Sequence, residues 1–418
     1  MSLRAADVFT PSSYPNLTYV DRGELRLEAR LADALETPGD IISVSGPSKS
    51  GKTVLVEKVV GRDNLIIVSG AGLEDGDELW SRCLDWMGAP SSTTSESSWD
   101  GSVGASGDAG GEVGIPLVAK GKISASGHTS VTHSSGSSEV SSRAGMVQVA
   151  NEIAHSDFVV FIDDFHYMDR GAQADAARQI KAASALGIKI CVASVPHRSD
   201  DVVRSNPELR GRVQAVDLSY WSDAHLGLIA AKGFAEMRLD VDGSVVAHFV
   251  RECSGSPQLM QALCLQLCQN LDYRERNRKL TPVSVDPSAL SNILGDATSR
   301  SDFSSLTRRL TEGPKTRGTE RKLHELHDGS TGDVYPVVLR AIASDPPRLS
   351  FSYSELQSRV AAVCVDQAPR PQSVSQACKH LADISRNMYP DQRIVEFDGD
   401  EGVLEIIDPY LLFYLRNR

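Results

Sequence analysis

The sequence predicts an α/β fold, a parallel sheet packed between helices and followed by further helical segments. An apolar run at residues 41–44 leads into a glycine-rich loop at 46–53 and then into a helical pattern. A second apolar run at 158–162 ends at two aspartates and suits a strand that is buried on both faces. Strand-like and helical stretches alternate up to residue 221, which is typical of a three-layer arrangement.

The loop that begins at Gly46 reads Gly-Pro-Ser-Lys-Ser-Gly-Lys-Thr and fits the phosphate-binding pattern Gly-x-x-x-x-Gly-Lys-Thr. Glycines allow its backbone N–H groups to turn towards phosphate oxygens, and the following helix adds a partial positive charge. Lys52 is expected to reach the β- and γ-phosphates of ATP, and the Thr53 hydroxyl to hold Mg²⁺. A chance match in a Gly/Ser-rich turn is disfavoured by the flanking strand and helix. The predicted ATP contacts are Gly46, Pro47, Ser48, Lys49, Ser50, Gly51, Lys52, Thr53 and Val54.

Two carboxylates follow the apolar run 158–162. In open α/β sheets, ligands bind at the carboxyl ends of the strands. Asp163 is therefore predicted to hold Mg²⁺, and Asp164 to orient or deprotonate the attacking water. A solvated turn is the simpler explanation for such a pair taken alone. The side chain of Asp164 is one methylene group shorter than that of a glutamate. The attacking water must therefore come closer or the backbone must shift, and we expect hydrolysis to be slow.

Composition excludes several classes of protein. The chain has 418 residues, which suits two or three domains, and it contains no apolar run long enough to span a membrane. Its net charge of −12 argues against general nucleic-acid binding. Seven scattered cysteines without a Cys-x-x-Cys pair indicate neither a disulfide framework nor a zinc site. With no apolar signal segment at the N-terminus, we expect a cytoplasmic protein.

The remaining elements follow from local patterns. Helices are expected at 21–37, 78–87, 143–155, 172–186, 334–343, 354–364 and 373–385, and strands at 66–68, 188–194 and 213–218. From residue 222 to 267 the pattern is wholly helical. Residues 286–332 read as a linker with little core, and within 300–322 seven Lys/Arg stand against three acidic residues. A hairpin at 393–407 and a last helix from Asp408 complete a pattern typical of a winged helix.

Residues 91–143 are rich in Ser and Gly. Their alternating stretches fit an inserted β-hairpin and a flexible surface loop equally well.

With both motifs and this order of regions, the chain resembles AAA+ and STAND-type P-loop ATPases. The resemblance is to the origin-recognition-like and the bacterial and archaeal STAND ATPases, over roughly residues 20–290 and 333–418. It implies a three-layer P-loop NTPase (AAA+-like) fold with a helical lid and a C-terminal winged-helix domain. The implied domains are a P-loop ATPase domain at 1–221 with the insertion 91–143, a helical lid at 222–285, a basic linker at 286–332 and a winged helix at 333–418.

The resemblance also implies roles for single residues. Ser194 stands where the family has a polar sensor, with His197 nearby. Arg212, with Arg210 in reserve, stands where an arginine finger would reach the γ-phosphate of a neighbouring subunit; a surface salt bridge is the alternative for both.

In the lid, Gly255-Ser256-Pro257-Gln258 carries the Gly-x-Pro of STAND proteins in place of a sensor arginine, so Pro257 is expected at the nucleotide. The segment at Tyr19 and Val20 is expected to pack on the adenine.

Two functions compete. The first is an oligomeric ATP-dependent switch that recruits or regulates a partner protein, for example in bacterial defence. The second is a DNA-associated AAA+ ATPase of replication initiation or transposition. Residues 333–418 hold nine Lys/Arg against twelve Asp/Glu, and the predicted wing is acidic, which favours a protein partner. A third hypothesis is a protein that binds ATP without hydrolysing it.

Overall fold

The computed structural model describes residues 2–88, 139–195, 206–315, 318, 321–365, 367–390, 392–399 and 401–418. The hairpin predicted within 91–143 lies outside these residues as far as position 138, and so does His197. The chain forms two compact units. We call Ala29–Val44 with Val56–Val216 the sheet unit, and Met1–Glu28 with Ser45–Leu55 and Asp217–Arg418 the loop unit.

The strands are β1 (Ile41–Ser45), β2 (Leu65–Ser69), β3 (Val159–Asp163), β4 (Lys189–Ser194), β5 (Val213–Asp217), β6 (Leu239–Val241), β7 (Thr281–Val283), β8 (His324–Glu325), β9 (Thr331–Gly332), β10 (Ser350–Ser352), β11 (Val395–Asp398) and β12 (Val403–Ile406). The helices are α1 (Ala5–Val8), α2 (Leu27–Glu36), α3 (Lys52–Val60), α4 (Gly76–Trp86), α5 (Glu139–Ile153), α6 (Arg170–Ala185), α7 (Asp223–Met237), α8 (Gly243–Cys253), α9 (Pro257–Asn270), α10 (Pro287–Ser299), α11 (Ser304–Glu312), α12 (Val334–Ala343), α13 (Tyr353–Val363), α14 (Pro371–Met388) and α15 (Pro409–Asn417).

The sheet unit is built on a five-stranded sheet in the order β2-β3-β4-β1-β5. β2 pairs with β3 in parallel, and β3 pairs with β4 in parallel, with Ile162 opposite both Val68 and Val192. The apolar run of β3 is buried throughout, as expected for a central parallel strand. The predicted α/β fold with a parallel central sheet is therefore confirmed.

Helices α4, α5 and α6 share one apolar core with this sheet. Trp80, Ile162 and Ile180 lie fully buried within it. The Trp80 indole N–H donates to the Gln179 side-chain oxygen at 2.7 Å, so the largest core residue leaves no buried donor unpaired. This core holds the carboxyl end of β3 in a fixed place.

The loop unit contains two apolar cores. One is formed by α7, α8, α9 and α10 together with the N-terminal residues, of which Phe9 packs edge-on against Phe234 at 5.2 Å between ring centroids. The other joins α11 to α14 with the antiparallel sheet β10-β12-β11. The turn between β11 and β12 matches the predicted hairpin.

Two local predictions were wrong. The segment 222–267 is not wholly helical, because β6 lies between α7 and α8 and pairs in parallel with β7. Residues 286–332 also have a core, since α10 and α11 bury Ile293, Leu306 and Leu310 completely. The strand β6 has only three residues and depends on its pairing with β7, whereas α10 is a helix of 13 residues in a region of low apolar content.

No helix in the described part of the chain is long and apolar enough to cross a membrane. All seven cysteines are buried free thiols.

Candidate functional site

The glycine-rich loop joins a buried strand to a helix. β1 ends at Ser45 and α3 begins at Lys52, so the predicted strand–loop–helix context is confirmed. The loop backbone is left-handed at Lys49 (φ 60°) and at Gly51 (φ 96°). A left-handed residue reverses the direction of the N–H vectors, and this produces the curled backbone that binds anions.

Gly46 is required because the chain passes very close to Leu218. A Cβ atom at Gly46 would lie 2.7 Å from the Leu218 carbonyl oxygen and 2.8 Å from its Cβ. The Leu218 N–H donates to the Ser45 carbonyl at 2.7 Å, which fixes this approach. The first glycine of the motif therefore has a packing reason as well as a role in the curl.

The Lys52 ammonium lies inside the loop. Its Nζ donates to the carbonyl oxygens of Gly46 and Pro47, at 3.1 Å each, and the residue is only 7% exposed. The Ser50 hydroxyl is also buried and has no hydrogen-bond partner among the described residues. Triphosphate oxygens would match both donors, so the residues present fit the predicted nucleotide.

Trp221 supports the loop through a hydrogen bond to its backbone. The Trp221 indole N–H donates to the Ser50 carbonyl at 2.9 Å. The guanidinium of Arg22 lies 4.7 Å from the Trp221 ring centroid and donates to the Ser219 carbonyl at 3.0 Å. Burial lowers the pKa of Arg22. The sequence analysis missed both residues, because neither stands in the motif.

The Gly-x-Pro segment is a helix-to-helix turn. Ser254 and Gly255 are left-handed, the Ser256 hydroxyl accepts from the Leu259 N–H at the start of α9, and Pro257 is at the first position of that helix. These are the usual residues for ending one helix and beginning another. The nucleotide contact expected of Pro257 remains a prediction.

The N-terminal segment at Tyr19 and Val20 is packed within the loop unit. Val20 is buried, and the Tyr19 hydroxyl donates to the Glu28 carboxylate. Burial and Glu28 raise the pKa of Tyr19. The Tyr14 ring stacks beside Tyr19 at 6.3 Å between centroids, and the adenine contact remains a prediction.

The two carboxylates stand at the end of β3 in the sheet unit. Asp164 is left-handed (φ 56°) and its N–H donates to the Asp163 carboxylate at 3.0 Å. Gly70, directly after β2, donates to the Asp163 carbonyl at 2.7 Å. A Cβ atom at Gly70 would lie 2.7 Å from the Asp164 carbonyl oxygen, so this glycine sets the turn. The sequence analysis missed Gly70.

Ser194 ends β4, the strand between β3 and β1 in the sheet. It is 2% exposed, and its hydroxyl has no hydrogen-bond partner within the described ranges. A buried hydroxyl without a partner costs free energy, which is compatible with the sensor role implied by the resemblance.

Arg212 lies beside the amino end of β1, so it is at the end of the sheet opposite to the carboxyl ends of the strands. Its carbonyl accepts from the N–H of Ile41, the first residue of β1, at 2.8 Å. From Ile41 to the end of β1 at Ser45 there are four residue steps, about 13 Å at 3.3 Å per residue. Arg212 and Arg210 are exposed. An arginine-finger role therefore requires a second copy of the chain.

The described residues contain no group of three or more His, Cys, Asp or Glu that could hold a metal ion. Mg²⁺ in nucleotide sites is usually held by one or two protein oxygens together with phosphates and waters. Thr53 and Asp163 supply such oxygens, and their joint role remains a prediction.

The chain is similar in fold to several solved structures. A Walker-type ATPase of Pyrococcus abyssi superposes with a TM-score of 0.50 at 16% identity, over 95% of this chain and 96% of that chain. The ORC2 protein of Aeropyrum pernix gives 0.47 at 11% identity, over 98% and 96%. The ORC1 protein of the same organism, solved with DNA, gives 0.46 at 12% identity, over 99% and 96%. No family model and no curated protein matches the sequence.

These identities are low, so the comparison with the Pyrococcus abyssi ATPase concerns the fold alone. At that level, it agrees with the predicted α/β fold with a parallel central sheet.

Proposed function

We propose that this protein is an ATP-binding, slowly hydrolysing, oligomeric switch that regulates or recruits a partner protein. One observation carries the proposal: a curled loop between strand and helix holds a buried lysine ammonium beside its own backbone. A triphosphate would bring anionic oxygens to N–H groups and an ammonium that are already in place. The Walker-type ATPase of similar fold supports the same assignment.

In this proposal each residue has one task. Lys52 and the loop N–H groups bind phosphate oxygens, and Thr53 with Asp163 would hold Mg²⁺, which neutralises charge on the transferred phosphoryl group. Asp164 orients the attacking water, and Ser194 senses the terminal phosphate. Arg212 would act on the ATP of a neighbouring copy.

Nucleotide binding is tested with Lys52→Ala. The variant should bind ATP with Mg²⁺ at least tenfold more weakly than the wild type in calorimetry, because it loses the buried ammonium. The matched control is Lys315→Ala, which removes an exposed lysine and should leave the affinity unchanged. Equal affinity of wild type and Lys52→Ala would refute the site.

Hydrolysis is tested by phosphate release. Asp164→Asn should bind ATP normally and release phosphate at least a hundredfold more slowly, because the amide cannot act as a base. Asp169→Asn, an exposed aspartate before α6, is the control. If the wild type releases no more phosphate than Asp164→Asn, the protein binds ATP without hydrolysing it.

Assembly is tested by size-exclusion chromatography with light scattering, with and without ATP and Mg²⁺. ATP-dependent oligomers whose ATPase activity falls at least tenfold in Arg212→Ala, and not in Arg210→Ala, would support the finger. A monomer under all conditions would refute both the oligomeric switch and the role of Arg212.

The choice of a protein partner over DNA depends on the cations of residues 286–418. Arg300, Arg309 and Arg321 bond to side chains or carbonyls of this chain. On α14, His380 hydrogen-bonds with the Tyr335 hydroxyl at 2.6 Å, and the exposed cations are Lys379 and Arg386, of which Arg386 pairs with Asp383 at 3.7 Å. Few cations thus remain available for phosphate contacts.

The alternative, a DNA-associated ATPase, would depend on exposed residues such as Arg308 and Lys315. It predicts DNA binding that weakens steeply with salt, by an order of magnitude or more between 50 and 200 mM. Binding of this kind, lost in Arg308→Ala, would favour that function over the switch.

A further inference from the structure

Lys49, in the middle of the phosphate loop, stands in a backbone conformation that suits glycine better. Its φ of 60° is left-handed, a conformation that is unfavourable for a residue with a side chain relative to glycine. Such a conformation persists where the surrounding contacts compensate for it. The side chain of Lys49 provides these contacts.

The Lys49 ammonium is bound to the start of the last helix. Its Nζ donates to both carboxylate oxygens of Asp408 at 2.7 Å, and it lies 4.4 Å from the centroid of the Tyr410 ring. The side chains of Lys49 and Asp408 are 29% and 18% exposed, so the pair is largely shielded from water. An ion pair of this kind is stronger than a fully exposed one.

Asp408 also caps α15. Its carboxylate accepts from the Tyr410 N–H at 2.9 Å, and Pro409 follows at the first helical position. The same carboxylate therefore starts the helix and neutralises the cation of the loop. Any movement of Lys49 changes the charge balance at this helix start.

The pair lies on the wall of a cavity of about 400 Å³ that is confined to the loop unit. Gln258, at the beginning of α9, lines the same cavity, and its side-chain oxygen has no hydrogen-bond partner in the described part of the chain. The other charged residues on its wall are Arg300 and Asp302. This space would allow the Lys49 side chain to turn without displacing the apolar core.

We propose that the Lys49–Asp408 pair is a nucleotide-sensitive latch. Lys49 belongs to the loop at which triphosphate oxygens are expected, and these anions would compete with the Asp408 carboxylate for its ammonium. Occupation of the loop then releases Lys49 from Asp408 and loosens the start of α15. The latch rests on the proposed function, because it requires ATP at this loop.

The first test uses Asp408→Asn, because asparagine caps a helix as well as aspartate does but carries no charge. The variant should bind ATP with Mg²⁺ about fivefold more tightly than the wild type, since binding no longer has to break an ion pair. Asp286→Asn is the matched control, because Asp286 caps α10 in the same way without an ion-pair partner among the described residues. Unchanged or weaker binding by Asp408→Asn would overturn the latch.

Charge repulsion between Asp408 and the phosphates of ATP would also weaken binding in the wild type. The variant Lys49→Met distinguishes this repulsion from the cost of breaking the ion pair. In a Lys49→Met background the latch is absent, so adding Asp408→Asn should change the ATP affinity by less than about twofold. If Asp408→Asn raises the ATP affinity about fivefold in the Lys49→Met background as well, the effect is due to charge repulsion alone and the latch is overturned.

The second test is amide hydrogen exchange at residues 410–415. In the wild type, ATP with Mg²⁺ should speed exchange there at least tenfold, and in Asp408→Asn exchange should not respond to ATP. If the exchange rate at these residues in the wild type is the same with and without bound ATP, the latch is overturned but the proposed function is not. If the wild type binds no ATP and matches Lys52→Ala, the proposed function fails, and the latch fails with it.

Discussion

Replacing Gly46 by alanine tests whether the close approach to Leu218 is what shapes the phosphate loop. The added Cβ would lie 2.7 Å from the Leu218 carbonyl oxygen, whereas ordinary contact begins at 3.4 Å, so one of the two segments must move by about 0.7 Å. Leu218 is buried and bonded to Ser45, so the loop is the segment that yields. Overpacking of this kind costs about 1–3 kcal/mol.

If ATP binds only to the original loop geometry, binding must bring the added Cβ back against the Leu218 carbonyl oxygen. The binding free energy is then reduced by the cost of this overpacking. At 1.4 kcal/mol for each factor of ten, Gly46→Ala should bind ATP about 5- to 150-fold more weakly. Calorimetric titration measures the affinity, and circular dichroism checks that the fold is kept. Gly227→Ala, where nothing lies within 4 Å of the added Cβ, is the control and should bind like the wild type. Wild-type affinity in Gly46→Ala would refute the reasoning.

Three further predictions concern neighbouring features. Gly70→Ala pushes against the Asp164 carbonyl, so phosphate release should fall at least tenfold while ATP affinity stays within about twofold; unaltered release would separate Gly70 from the chemistry. Trp221→Phe loses the hydrogen bond to Ser50 and should weaken ATP binding about fivefold by calorimetry; no change would mean that the loop does not need this bond. Glu252 is buried beside Arg416. Burial alone would raise the pKa of its carboxyl group, but the hydrogen bonds from Arg416 and Asn417 have the larger effect, and the pKa is lowered. The stability that this pair adds is therefore present above the carboxyl's ordinary pKa, about 4.3, and is lost as the pH falls through the lower pKa of the folded state. Glu252→Gln should cost about 3 kcal/mol in urea unfolding at pH 7 and less at pH 3, and equal costs at both pH values would contradict the pairing.

The sequence predicted the parts of the site that depend on local order. The phosphate loop stands between β1 and α3, as its neighbours indicated, and Asp163 ends a strand that is buried as its composition required. Helix bounds were right to within about four residues, except that α2 begins at Leu27 and not at the predicted position 21. Local rules succeed here because motif, strand and helix are contiguous in the chain.

The sequence could not give contacts between distant positions. Lys49 and Asp408 are separated by 359 positions, and nothing in either neighbourhood indicates the other. The short strand β6 is stabilised by its partner β7, and three residues carry too little pattern to be found alone. The helix α10 did carry a signal, Asp286 as a cap followed by Pro287, which the low apolar content of the region obscured.

The division of the chain has a consequence for its synthesis. Residues 45–55 belong to a unit that also contains the residues after 216, so they leave the ribosome before most of that unit has been translated. The five-stranded sheet can be completed once β5 has appeared, whereas the partners of the early segment, Leu218, Trp221 and Asp408, are translated later. A nascent chain can therefore form all the contacts of the phosphate loop only after Asp408 has been translated, and a product terminated before that residue would carry the motif without this support.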